Sequence, residues 1–178
     1  MAFAMNCSLG QSQKFVAYLS KFPLATYPFV CCTPYSQKIE DDFAKEFIFS
    51  QKIAPKFGLY EDSGYQFGHT LLKTQTHTVL IVNQINSLWR ANRQVILVYE
   101  LETSQISDII LACGRKLLAP INGVEQYEDY SFSFDSSGKL TLKDAIFMIT
   151  EDGIRKADKN EQILQLSASG VFVKFKKK

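Results

Sequence analysis

An unbroken apolar run near the middle of the chain constrains the fold more than any other feature. Val95, Ile96, Leu97 and Val98 follow one another within segment 94–101. Branched aliphatic side chains favour strands, and a strand without alternating polar residues is typical of one buried on both faces. The segment therefore predicts the central strand of a sheet that is covered on both sides.

Helical patterns surround this strand. Segments 11–21 and 34–49 carry apolar residues at helical spacing, and Thr33-Pro34 is a typical helix start. A third amphipathic helix is predicted over 103–118, from an apolar stripe of five residues: Ile106, Ile109, Ile110, Cys113 and Leu117.

Strand patterns complete the fold prediction. Segment 78–82 is a second apolar strand, and alternating residues over 130–142 and 163–175 predict two hairpins. We therefore expect an α+β fold, in a single domain over 1–178. A central mixed or antiparallel sheet would be packed by two or three amphipathic helices and extended by the C-terminal β-hairpins.

The charge balance disfavours nucleic acid as a partner. The chain has 20 basic and 18 acidic residues, a net charge of +2, whereas a DNA-binding domain usually has a clear basic excess or stripe. The one basic run is Lys174 with the lysines at 176–178. A weak nucleic-acid binder using this basic C-terminal tail is the second alternative function.

The sequence predicts a cytoplasmic protein without a membrane span. Apolar runs such as 79–82 are far shorter than the roughly 20 residues of a spanning helix, and the first ten residues lack the basic start of a signal peptide. The four cysteines (Cys7, Cys31, Cys32 and Cys113) form no metal-binding spacing, so we expect reduced thiols, no metal and no cofactor.

Two weak patterns are compatible with catalysis. Cys32 precedes the predicted helix start at Pro34, where a thiolate would be favoured, and His69 or His77 could act as its base. Cysteines that fill the core and histidines in a surface hairpin explain the same residues without any catalysis. A small cysteine-dependent hydrolase is thus an alternative function rather than the first.

Acidic residues at the end of the central strand are the second catalytic pattern. Glu100 and Glu102 would share one face if the strand continued, and a third acid such as Asp62 could complete a metal site. This is the carboxylate-dependent form of the hydrolase alternative. The phosphate-binding motifs GxxxxGK[ST] and GxGxxG are absent, which disfavours nucleotide chemistry.

The connection between the two apolar strands carries the best candidate binding residues, Trp89, Arg90 and Arg93. Tryptophan and arginine are the residue types most enriched at binding hot spots, although Trp89 could equally pack on the core. Because motifs of the common enzyme classes are absent, we predict a non-catalytic protein–protein interaction module, such as an adaptor, assembly factor or inhibitor, with these residues as its binding site. Its partner would be another protein, and its oligomeric state is left open.

Overall fold

The chain is mainly antiparallel β-sheet in a computed structural model that describes residues 13–30, 37–59, 63–86 and 91–175. Helical structure in these residues is limited to α1 (Gln13–Ser20), α2 (Asp41–Ala44), a π-helical turn (Lys45–Phe49) and a 3₁₀ helix (Ala54–Phe57). The strands are β1 (Phe29–Val30), β2 (Gly64–Lys73), β3 (His77–Asn86), β4 (Ala91–Glu100), β5 (Ile106–Ile121), β6 (Val124–Phe134), β7 (Lys139–Thr150), β8 (Gly153–Leu166) and β9 (Phe172–Lys174).

Strands β2 to β9 are neighbours in sequence order, and each is antiparallel to the next. Strand β5 belongs to two halves of this sheet, because its residues up to Cys113 pair with β4 and its residues from Gly114 pair with β6. Strand β1 pairs with Ser133 and Phe134 at the end of β6, beyond the β6 residues that pair with β5. The sheet therefore changes direction at β5, and its two halves share a core.

Strand β4 lies between two hydrophobic cores, as the sequence predicted. Val95, Leu97 and Tyr99 face the core that the helical segments cover, and Ile96 and Val98 face the core between the two halves of the sheet. All five side chains are buried. Burial of both faces explains why this strand has no alternation of polar and apolar residues.

The predicted helix over 103–118 is wrong, because this segment is β5, and the α+β fold class is wrong with it. Strand β5 skips Ser107 and Ala112 in its pairing with β4, and each bulge shifts the side-chain alternation by one residue. Ile106 and Ile109 are therefore buried in one core, and Ala112 and Cys113 in the other, so burial recurs about every three to four residues along the chain. This spacing imitates one face of a helix.

The other predicted helices are only partly present. Helix α1 lies within the predicted 11–21 and buries Phe15 and Tyr18. In the predicted helix over 34–49, residues 37–40 are not helical, because the N–H of Ile39 donates to the carbonyl of Tyr65 (2.7 Å) on β2. Within the described ranges, no helix has the length and apolar character needed to cross a membrane.

The C-terminal hairpins are confirmed. The first turns at 135–138 and pairs Phe134 with Leu140, and the second turns at 167–170 and pairs Leu166 with Phe172. In the second hairpin Phe172 faces the core, whereas Val173 is exposed. Period-two alternation thus predicted the strand but could not say which side faces the core.

Four strands continue beyond both cores as an arm, defined by residues 114–121, 124–131, 143–150 and 153–162. In the part of the chain that the structure describes, no side chain of these ranges belongs to either core. One face of the arm continues the side of β6 on which Phe132 and Phe134 contact the core. The opposite face is called the outer face below.

Cys113, the last β5 residue paired with β4, is disulfide-bonded. The expectation that all four thiols are reduced is therefore wrong. The other cysteines, Cys7, Cys31 and Cys32, lie outside the described residues. Disulfides are more typical of oxidising compartments than of the cytosol, and the cytoplasmic location stays a prediction.

Candidate functional site

Three turns meet at one end of the sheet around a cavity of about 560 Å³, called the turn cavity below. They are the β2–β3 turn at 74–76, the β6–β7 turn at 135–138 and the β8–β9 turn at 167–170. Its lining has no acidic residue, lysine or arginine and is rich in hydroxyl groups: Leu72, Thr74, Thr76, His77, Ser136, Ser137, Gln165, Leu166, Ser167 and Ala168.

Hydroxyl groups build the β2–β3 turn and orient His77. The Thr74 Oγ1 accepts the backbone N–H of His77 (2.9 Å) and of Thr76 (3.3 Å). The Thr76 Oγ1 lies 2.9 Å from Nδ1 of His77. The imidazole is therefore held against the sheet by its neighbour and is almost completely buried.

The β8–β9 turn closes over this imidazole through Gly170. A Cβ atom at Gly170 would lie 2.2 Å from the Nε2 of His77, and the residue has a φ of +73°, so only glycine fits this position. The Ser107 Oγ donates to the Gly170 carbonyl (2.9 Å). Strands β3 and β5 thus fix the position of the turn.

The β6–β7 turn is held by a carboxylate and by a glutamine from β8. Asp135 Oδ1 accepts from the Ser137 Oγ (2.6 Å) and from the N–H groups of Ser137 (2.9 Å) and Lys139 (3.1 Å). These bonds, the Ser137 hydroxyl first, lower the pKa of Asp135. The Gln165 Nε2 donates to the Ser137 carbonyl (3.0 Å), so two walls of the cavity are braced together.

The structure does not bring the two predicted histidines together. His77 lines the turn cavity, whereas the His69 ring packs 5.1 Å from the ring of Phe29, and burial lowers the pKa of His69. His69 lies near Ile81 in the β2–β3 register, so about 13 Å of strand separates it from His77. Cys32, the proposed nucleophile, lies outside the described residues.

The two candidate glutamates do not form a pair on a strand. Glu100 ends β4 opposite His77, and its Oε2 accepts from the Thr103 Oγ1 (2.7 Å), while Glu102 is exposed in the following turn. Asp62 lies outside the described residues. Among the residues that can be described, no group of three acidic, histidine or cysteine side chains could hold a metal ion.

Arg93 is the one predicted binding residue whose surroundings can be described, since Trp89 and Arg90 lie outside the described ranges. Its Nη2 donates to the carbonyls of Phe57 (3.0 Å) and Gly58 (2.6 Å), and its Nε donates to Gln84 Oε1 (2.5 Å). The guanidinium therefore joins β4 to the end of the 3₁₀ helix.

A second candidate site lies on the outer face of the arm, where sequence reading found none. Leu117, Tyr127 and Phe147 are cross-strand neighbours, and Ile149 and Ile154 form the next row. These five residues are called the outer patch. Leu117, Ile154 and Ile149 are 74%, 63% and 42% exposed, whereas Tyr127 is buried beneath its neighbours and Glu125 lies beside Ile149. Exposed apolar patches commonly mark protein contacts.

An arginine beside the outer patch pairs with a carboxylate of the same face. Arg115 binds both carboxylate oxygens of Asp129 (2.7 and 3.0 Å), and its guanidinium lies 4.1 Å from the centre of the Tyr127 ring. The Tyr127 ring stacks on Phe147 with centroids 5.1 Å apart. The patch is therefore a flat aromatic and aliphatic surface whose neighbouring charges are largely balanced.

The two outer strands of the arm are poor templates for strand addition. Arg115, Lys116 and Pro120 lie on the β5 edge, and the β8 edge carries Arg155 and Lys159 beside a bulge in its pairing with β7. Charges, proline and bulges are common protections of sheet edges. The face of the arm is thus more available for binding than its edges.

One sequence signal could have located the outer patch. The turn residues Glu151-Asp152-Gly153 follow the apolar segment 145–149 and are followed by Ile154, which is compatible with a hairpin that places Ile149 and Ile154 across from each other. The assignment of 103–118 as a helix hid the second half of the patch. Comparison with protein-family models, curated proteins and solved structures finds no match to the chain.

Proposed function

We propose that this chain is a non-catalytic protein–protein interaction module and that its outer patch binds a second copy of the chain. The observation that carries the proposal is the exposure of Leu117, Ile149 and Ile154 in adjoining rows on the outer face of the arm. Burial of exposed aliphatic surface is the main favourable term in most protein association.

Paired charges favour an identical copy as the occupant. Arg115 pairs with Asp129, and Lys143 lies 3.5 Å from Glu161. Glu125 and Lys159 on the same face carry opposite charges, so these residues together offer little net charge to a charged partner. Two such faces would approach without strong repulsion, and two-fold symmetric contacts are the commonest form of self-association.

The size of the arm is sufficient for a small specific interface. Four strands spaced by about 4.8 Å, with about eight residues each at about 3.3 Å per residue, give a face of roughly 500 Å². Two faces together would bury roughly 1,000 Å², which is the lower limit for a specific contact. We therefore expect a reversible dimer.

Sedimentation equilibrium of the wild-type protein tests self-association, and two variants test the surface. We expect the wild type to dimerise at micromolar concentrations and Leu117→Ser, Ile154→Ser to remain monomeric with unchanged circular dichroism. Leu24→Ser is the matched control, because Leu24 is an aliphatic residue with 77% exposure outside the arm, and this variant should dimerise normally.

Two results would contradict the proposal. A wild-type protein that stays monomeric up to the highest soluble concentration would exclude the second copy as occupant. A double variant that dimerises as well as the Leu24→Ser control would show that the contact lies on another surface.

A further inference from the structure

We infer that the turn cavity binds a small neutral ligand rich in hydroxyl groups, of the mono- or disaccharide class. The cavity volume of about 560 Å³ lies within the range of roughly 300–1,000 Å³ that is usual for small-molecule sites. This site is at the opposite end of β7 from the tip of the arm, so the inference does not depend on the proposed self-association.

The lining of the turn cavity selects against charged ligands. None of its ten residues is acidic, lysine or arginine, although 38 of the 178 residues of the chain are charged. The ring of its one histidine, His77, bonds to Thr76 at Nδ1 and is covered by Gly170 at Nε2. A phosphate, carboxylate or amine in this cavity would lose hydration without gaining an opposite charge, which is costly. A neutral polar ligand exchanges its hydrogen bonds with water for bonds with hydroxyl and amide groups.

Several lining groups keep hydrogen-bonding capacity after the turns are formed. A hydroxyl group offers one donor and two acceptor positions, and among the described residues the Thr76 Oγ1 contacts the His77 ring alone. The Ser137 Oγ donates its hydrogen bond to Asp135 and keeps its acceptor positions. Gln165 uses one amide hydrogen on the Ser137 carbonyl, which leaves its second hydrogen and its Oε1. This mixture of donors and acceptors matches sugar hydroxyls, which also act as both.

The apolar part of the lining has a role in the same recognition. Leu72, Leu166 and Ala168 line the cavity beside the hydroxyl groups. A sugar ring carries C–H groups that can pack on such side chains while its hydroxyls bond to the polar ones. An ion would gain nothing from this apolar surface.

The walls of the turn cavity are fixed before any ligand binds. Gly170 contacts His77, the Ser107 hydroxyl holds the Gly170 carbonyl, and Gln165 holds the Ser137 carbonyl. A Cβ at Gly138 would come within 3.2 Å of Leu72, so the β6–β7 turn also packs closely on β2. Preorganised walls reduce the entropy that binding must remove.

Nuclear magnetic resonance titration of the ¹⁵N-labelled full chain tests the inference. The probes are glucose, galactose, mannose, maltose and lactose, with glucose 6-phosphate as the charged comparison. We expect at least one neutral sugar to shift backbone amide signals of all three turns with a dissociation constant of about 1 mM, corresponding to a few hydrogen bonds. Glucose 6-phosphate should bind at least about tenfold more weakly than glucose, since its charge is not compensated.

Two tryptophan variants show whether the turn cavity is the binding site. Ala168→Trp places a large ring in the cavity from an exposed turn position and should abolish the shifts. Ala17→Trp makes the same change on the exposed side of α1 and should leave them unchanged. Methyl glycosides, whose anomeric hydroxyl is blocked as in a glycan, then distinguish a glycan end from a free sugar.

Three outcomes overturn the inference. The first is that none of the sugars moves the turn signals in the wild-type protein. The second is that glucose 6-phosphate binds as well as or better than the neutral sugars. The third is that Ala168→Trp, folded by circular dichroism, retains the same titration as Ala17→Trp.

Discussion

Replacing Arg93 with alanine removes three hydrogen bonds that join β4 to Gln84 and to the end of the 3₁₀ helix. Hydrogen bonds from a charged group contribute about 1.5–3 kcal/mol each, but bonds from one guanidinium are not additive. The Gln84 side chain is completely buried, so its Oε1 would lose a charged donor at a site that water does not reach. We expect a loss of about 2–4 kcal/mol in the free energy of unfolding.

Thermal and urea unfolding measure this loss against two further variants. A chain of this length loses roughly 2–4 °C of melting temperature per kcal/mol, which predicts a decrease of roughly 4–16 °C for Arg93→Ala. Arg93→Lys should recover only a small part, because one ammonium cannot reproduce the planar fork that reaches Gln84 and two carbonyls. Arg115→Ala is the matched control, since its pairing with Asp129 is mostly exposed and worth about 1 kcal/mol or less.

Equal destabilisation by Arg93→Ala and Arg115→Ala would refute this reasoning. The same experiment separates the structural role of Arg93 from the binding role that the sequence suggested. If Arg93 served only in binding, its replacement would weaken partner binding without changing the melting temperature. If its role is structural, replacement lowers the melting temperature, and any loss of binding follows from the loss of stability.

Two further predictions concern the β6–β7 turn and the disulfide. Hydrogen bonds lower the pKa of Asp135, so its carboxylate stabilises the folded chain above the usual carboxyl range and that contribution is lost as the pH falls through the lowered value. Asp135→Ala should therefore cost about 1–2 kcal/mol in urea unfolding at pH 7 and progressively less below about pH 4, and an unchanged difference at low pH would contradict this. Cys113 should resist alkylation by iodoacetamide in the denatured protein until a reductant is added, as read by peptide mass spectrometry; labelling without reductant would show that the bond is absent.

The sequence correctly predicted the strands in which one pattern of buried and exposed side chains continues along the whole strand. Strand β4 is buried on both faces, and the hairpin around 135–138 alternates regularly, so both were assigned correctly. The prediction failed for strand β5 because two bulges changed the alternation of its side chains. Bulges depend on the partner strand rather than on the local sequence. The helix prediction failed at residues 37–40 for a similar reason, because their backbone hydrogen bonds are made with β2.

The candidate sites were even less accessible to sequence reasoning. His77 was named only as a possible base for Cys32, which stays a prediction, and the two turns that close over it lie about 60 and 90 residues further along the chain. Leu117 and Ile154 come together only through the pairing of four strands. Neither set has a local pattern, because each is defined by the order of strands in the sheet.

Strand β5 has a consequence for how a bound partner would be held. It contributes Ile109 to the packed interior and Leu117 to the outer patch, and it runs between them without an intervening linker. A flexible linker would only keep the two parts close to each other, whereas continuous strand pairing also fixes their relative orientation. Two chains joined through their arms would therefore hold their packed interiors at a set distance and angle, as the two ends of a rigid spacer.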